Sequence, residues 1–261
     1  MNTVSQCNPW LFATKSRPYA RLRLFCFPYA GGGASIYQIW NTILASEIEV
    51  CPVQLPGREN RMKERAIADF AELIETLVDV LQPYLNQPFA FFGHSMGALI
   101  SFGLSRELRR QGHPLPVHLF ASAYRAPQFP NQDEPPLHSL PESVLVKKLL
   151  EMNGTRREIL DDPELRSFIL PILRADFSVC ESYVHTAEAP LPCPITAFGG
   201  LQDSRVSRQS LMAWREQTSD QFALRMLPGD HFFLQNMRTP LLQIITQKLN
   251  QRPVGAADNS A

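Results

Sequence analysis

The sequence predicts an α/β fold, with a mostly parallel central sheet flanked by helices, on three observations. Short apolar runs alternate with longer amphipathic ones, the rhythm of strands joined by crossover helices. A Gly-x-Ser-x-Gly at Gly93 to Gly97 stands directly between one apolar run and one amphipathic stretch. Residues 127–190 carry helical patterns but no strand pattern, which reads as an insertion over the sheet edge rather than as part of it.

In chain order, the strands are expected at Leu22 to Phe27 (LRLFCF), Val50 to Gln54, Phe89 to Phe92, Val117 to Ala121, Ile195 to Phe198 and Phe222 to Met226. Between the second and third, Ala66 to Leu85 places apolar residues at three- and four-residue spacing, the mark of a helix with one buried face. Met96 to Gln111 repeats that spacing after the third strand, and Phe233 to Asn250 does so after the last. The inserted segment is opened by QFPNQDEPP and left through EAPLPCP, whose prolines interrupt regular structure. Inside it, helices are expected at Glu142 to Met152, Thr155 to Leu160 and Pro163 to Val184. The expected organisation is therefore a core of residues 19–126 and 191–251, a helical lid at 127–190, and loose polar tails at 1–18 and 252–261.

Composition narrows the function classes. Lys and Arg together number 25, as do Asp and Glu, so no basic excess points to nucleic acid or an anionic membrane. The first residues lack the apolar core of a signal peptide, and no uncharged run of about 18 apolar residues occurs. A soluble cytoplasmic protein is expected. The five cysteines are widely spaced, without a CxxC or a Cys/His cluster, which argues against structural zinc and against a disulfide framework.

The chemistry centres on Phe92-Gly93-His94-Ser95-Met96-Gly97-Ala98. A chain that leaves a strand, exposes a serine and enters a helix at once needs small residues two before and two after that serine, because side chains there would strike the strand and helix. Ser95 is the expected nucleophile. The backbone N–H of Met96, at the helix N-terminus, is one expected donor to the oxyanion formed on attack. Of the six histidines, only His231 follows a late strand and precedes a final helix, where the general base of such a site belongs. Asp203, just beyond the strand ITAF in GGLQDSRV, is the expected acid. Asp230 is its rival, but a carboxylate adjacent in sequence generally cannot reach round to its neighbour's Nδ1, and a turn role in PGD suits it better. The second oxyanion donor is expected from FPYAGGGAS, where Gly31, Gly32 and Gly33 let the backbone approach an acyl carbonyl and Ala30 offers its N–H. Neither of the glycine-rich nucleotide-binding patterns is present.

FPYAGG, LPGR (Leu55 to Arg58), FGHSMGA, ILRADF (Ile172 to Phe177), GGLQD and PGDHFFL (Pro228 to Leu234) occur in this order, and together the sequence resembles the type II thioesterases of polyketide and nonribosomal peptide synthesis. The resemblance implies the α/β-hydrolase fold with a lid. It also implies hydrolysis of acyl groups from the 4'-phosphopantetheine arm of acyl or peptidyl carrier proteins, through an acyl-serine and with no bound cofactor or metal. It carries over Ser95, Asp203 and His231 as the triad and Ala30 and Met96 as oxyanion donors. In the lid, Leu173, Phe177 and Tyr183 are the residues expected at the substrate. The alternatives with the same triad are a chain-releasing acyl thioesterase, a carboxylesterase or an acyltransferase. A catalytically silent binding module is the alternative outside enzymes. For an acidic carrier, the candidate basic contacts are Arg106, Arg109 and Arg110 after the elbow and Arg156 and Arg157 in the lid.

Overall fold

A computed structural model describes residues 8–12, 17, 19–130 and 135–251. Its centre is a six-stranded sheet of β1 (Leu22–Phe27), β2 (Ile48–Pro52), β3 (Phe89–His94), β4 (Leu119–Ser122), β5 (Ile195–Gly200) and β6 (Phe222–Leu227), in the order β2-β1-β3-β4-β5-β6. Every pairing is parallel. Alternate residues explain why the strands read as unbroken apolar runs. In β1, Phe25 and Phe27 face one core with Phe91, Leu99 and Phe102, whereas Leu24 and Cys26 face the other with Trp40, Phe92 and Leu241. Both faces are covered, so no position in β1 can remain polar without a partner.

The helices are α1 (Trp40–Ile43), α2 (Phe70–Leu81), α3 (Met96–Arg110), α4 (Glu142–Met152), α5 (Arg157–Asp161), α6 (Pro163–Ser182), α7 (Arg208–Met212) and α8 (Arg238–Asn250). The expected helix from Ala66 begins instead at Phe70, because the Asp69 carboxylate accepts the Glu72 N–H at 2.9 Å and caps it there. The last helix likewise starts at Arg238 rather than Phe233, since the residues after His231 are spent in turns that aim the imidazole. The second strand lies two residues earlier than expected. Its neighbour in the chain, Val53, is taken by an antiparallel bridge to Leu11.

That bridge corrects the expected N-terminal tail. Residues 8–12 are docked, not loose: Trp10 is buried, its carbonyl accepts the Gln54 N–H at 2.8 Å, and the Arg61 guanidinium lies 4.1 Å from its ring centroid. Apolar contact and cation–π attraction at Trp10 outweigh the polar character of the surrounding sequence. Of the remaining expected tail residues, 1–7, 13–16, 18 and 252–261 lie outside the described residues.

Between β4 and β5 the described residues form α4, α5 and α6, with a separate apolar cluster of Leu137, Leu140, Leu145, Leu149, Leu160, Leu170, Leu173 and Phe177. One buried ion pair fastens α6 to the core. Asp176 receives both Arg58 Nη1 and Nη2 at 2.7 Å and also the Gly31 N–H at 2.7 Å. Arg58 further donates to the Gly32 carbonyl at 3.1 Å. The LPGR and ILRADF blocks thus meet at the glycine-rich loop. Removing one partner of a buried pair strands the other charge. Asp176→Ala is therefore expected to lower stability by about 3–5 kcal/mol, or on the order of 10 °C in Tm. A thermal melt within a degree or two of the parent would contradict this account of the pair.

Candidate active site

The elbow is built by steric exclusion. Ser95 sits at φ 53° and ψ −120°, a region that disfavours any residue with a Cβ and that costs about 1–3 kcal/mol unless its surroundings enforce it. They do so here through close approach on either side. A Cβ at Gly93 would lie 2.0 Å from the Gly97 carbonyl oxygen, and one at Gly97 would lie 2.1 Å from that of Phe27. The Ser95 N–H is held by the Ser122 carbonyl at 2.7 Å, tying the turn to the end of β4.

From this turn Ser95 Oγ lies 3.0 Å from His231 Nε2, and His231 Nδ1 lies 2.8 Å from Asp203 Oδ2. The two supporting loops are laced together. Leu201 N–H donates to the Leu227 carbonyl at 2.8 Å, and Gln202 N–H to that of Gly229 at 2.9 Å. A Cβ at Gly200 would meet the Asp230 and Gly229 carbonyl oxygens at 2.4 and 2.5 Å, so only glycine lets the end of β5 lie this close to the loop that follows β6. The second carboxylate oxygen of Asp203 accepts the Arg205 N–H at 2.8 Å and the Val206 N–H at 3.2 Å. Burial alone would raise the Asp203 pKa, but hydrogen bonds from His231 and these two amides outweigh it and hold the carboxyl below its ordinary value. Asp203 therefore stays ionised through the neutral range. Asp230 is turned elsewhere, accepting the Phe232 N–H at 2.9 Å and an Asn153 Nδ2–H at 3.4 Å.

Ala30 and Met96 line the cavity in front of Ser95. Their backbone N–H groups are bonded to no other described residue, which leaves both able to receive an oxyanion. Gly31, at φ +77°, turns the chain just after Ala30, and Asp176 fixes that turn. The wall also includes Tyr29, Tyr124, Leu137, Leu149, Leu173 and Phe177, together with the polar Arg125, Glu181 and Arg205. The cavity volume is about 70 Å³.

Leu173 and Phe177 are thus at the cavity, whereas Tyr183 is not among its lining residues. Its ring packs edge-on against Phe70, with centroids 4.8 Å apart, and its hydroxyl lies 3.1 Å from His185 Nδ1. A tyrosine at the C-terminal cap of α6 has already passed the cavity and seals α6 against α2 instead. The arginines after the elbow are also committed elsewhere. Arg106, Arg109 and Arg110 all pair with Glu188, and the first two also hold carbonyls of Thr186, Ala189 and Pro190. They fasten α3 to the segment after α6. Arg156 and Arg157 remain exposed and follow directly on Gly154 and Thr155, which line the cavity.

His94 stands directly before Ser95 in the elbow. Its ring is buried, with Nδ1 2.9 Å from Ser122 Oγ and Nε2 2.9 Å from the His231 carbonyl oxygen. Burial, reinforced by the nearby His231, pushes its pKa down to about 3, so the ring is neutral wherever the protein works. Nothing in the spacing of GHSMG reveals this contact, because its partner is 137 residues away. Among the described residues there is no group of three or more His, Cys, Asp or Glu side chains suited to a metal ion, and no helix long and apolar enough to cross a membrane.

The thioesterase domain family model matches residues 22–249. The gramicidin S biosynthesis protein GrsT of Aneurinibacillus migulanus is 48% identical over 251 residues, which cover 95% of this chain and 97% of that protein. RedJ, the thioesterase from the prodiginine biosynthetic pathway in Streptomyces coelicolor, has a TM-score of 0.84 at 37% identity, covering 91% of this chain and 94% of its own. The type II thioesterase BorB, from the borrelidin biosynthetic cluster, has a TM-score of 0.82 at 36% identity, covering 95% and 100%.

Proposed function

From the premise that the chain belongs to the thioesterase family, we propose that it hydrolyses acyl groups from the phosphopantetheine arm of carrier proteins, as an editing enzyme of a peptide or polyketide synthase. The observation that carries this reading is the unbroken chain from Ser95 Oγ through His231 to Asp203, at 3.0 and 2.8 Å, at a cavity also lined by Ala30 and Met96, whose backbone N–H groups are bonded to no other described residue. The alternation of roles follows from it. Ser95 Oγ attacks the thioester carbonyl carbon while its proton passes to His231 Nε2. The oxyanion is received by the N–H groups of Ala30 and Met96. Collapse breaks the C–S bond, and the pantetheine sulfur leaves with the proton from His231. A water then loses a proton to the freed imidazole and attacks the acyl-serine, releasing a carboxylic acid and restoring Ser95. Asp203, ionised and bonded to Nδ1, keeps the imidazole in the tautomer whose Nε2 can accept, and stabilises the imidazolium. No step requires a bound cofactor.

The cavity in front of Ser95 is lined on its apolar side by Leu137, Leu149, Leu173 and Phe177. With Leu173 and Phe177 in its wall, residues 127–190 serve in this reading as a lid that also sets acyl length. Phe177→Ala should raise kcat/KM for medium-chain over short-chain pantetheine thioesters by roughly tenfold, the worth of about one or two methylenes of contact. An unchanged chain-length profile would remove Phe177 from the acyl pocket.

The carrier itself is tested by paired substrates. An acyl group on an intact holo-carrier should be hydrolysed with higher kcat/KM than the same group on a short pantetheine thioester, and the advantage should shrink with salt, since exposed charges are screened beyond about 8 Å at physiological ionic strength. Charge reversal at Arg156 and Arg157 should reduce that advantage and leave the small thioester unaffected. Equal efficiency on both substrates at low salt would leave a general acyl thioesterase.

A further inference from the structure

We propose that His94 is a positioning residue for the reaction: its ring is a strut between the nucleophile elbow and the backbone of the base. A carbonyl oxygen can only accept, so the 2.9 Å contact to His231 requires the proton of His94 on Nε2. Nδ1 is then bare and accepts the Ser122 hydroxyl at 2.9 Å. Ser122 is the register partner of His94 on β4, so the far end of the strut is anchored in the sheet itself. Phe233 meets the ring edge-on at 5.5 Å and Tyr29 at 5.9 Å, packing it from two sides.

The result is a closed circuit. Ser95 is bonded covalently to His94, His94 Nε2 grips the His231 carbonyl, and His231 Nε2 returns to Ser95 Oγ at 3.0 Å. The loop that carries His231 includes Gly229 at φ +116° and depends on contacts of this kind to fix its distance from β3. Proton transfer tolerates little error in that distance, and a misplacement of about 1 Å can cost about 10²-fold. The inference rests on the proposed roles of Ser95 and His231, to which it adds the part that holds them in register.

Three substitutions separate the contacts. A glutamine amide nitrogen reaches about as far as Nε2, an asparagine reaches only as far as Nδ1, and phenylalanine keeps the volume but neither bond. His94→Phe and His94→Asn should lower kcat by about 10- to 100-fold with KM within about threefold, whereas His94→Gln should stay within about fivefold of the parent. A part that only supports the fold would lower stability in all three and leave kcat at low temperature alone. Nuclear magnetic resonance of the unsubstituted protein supplies a readout that needs no variant to fold: the His94 ring should be the Nε2–H tautomer throughout the folded pH range. The Nδ1–H tautomer, or His94→Phe with the parent's kcat, would overturn the proposal. Ser95→Ala as a control separates the two ideas. Its inactivity beside a fully active His94→Phe would sink the strut alone, whereas an active Ser95→Ala would sink the underlying reading.

Discussion

Ser95→Ala should abolish thioester turnover, by about 10⁴-fold or more in kcat, while its melting temperature stays at or above that of the parent. The elbow is shaped by Gly93 and Gly97 and by backbone bonds, none of which involves the hydroxyl, so alanine can occupy the same turn. What is lost is the atom proposed to become acylated and its hydrogen bond to His231. Steady-state hydrolysis of a short acyl-pantetheine, together with a thermal melt, checks both halves. Turnover near that of the parent would require another nucleophile or direct attack by water.

Asp203→Asn should lower kcat by on the order of 10⁴-fold, because an amide cannot balance the imidazolium and can hold His231 in the wrong tautomer. Asp230→Asn should be mild, since that carboxylate serves a turn and one long contact to Asn153. The sequence offers both aspartates as candidates for the acid. Reversed outcomes would move the acid from the loop after β5 to the loop after β6. The depressed pKa of Asp203 also fixes a sign. Its folded value lies below its unfolded value, so its contribution to stability is complete above the ordinary carboxylate range and fades as pH falls through the folded value.

Much of this arrangement was legible because it is local. The apolar runs mark all six strands, and the small residues of Gly93 to Gly97 mark the turn, since each is dictated by neighbours only a few residues away. Chain order then singled out His231, and the geometry of adjacent residues argued against Asp230. What was not legible depends on contacts distant in sequence. Glu188 is 82 residues from Arg106 and turns a basic-looking helix face into a clamp. Asp176 is 118 residues from Arg58, although both lie in recognisable blocks. His94 is read from its neighbours as part of a turn, and only the fold brings it to the carbonyl of His231. Tyr183 misleads for the converse reason: it follows the helix that lines the cavity but lies past the point where that helix leaves it. The short helices α1 and α7 were not among the expected ones.

In the proposed mechanism the acyl group is carried on Ser95 Oγ. Inactivation with a fluorophosphonate, which bonds covalently to activated serines, followed by digestion and peptide mass analysis, tests it most directly. The expected result is one adduct per chain on the peptide bearing Ser95, formed in step with loss of thioesterase activity and slowed by an acyl-pantetheine substrate. An adduct confined to another residue, or full activity in protein modified at Ser95, would contradict the account.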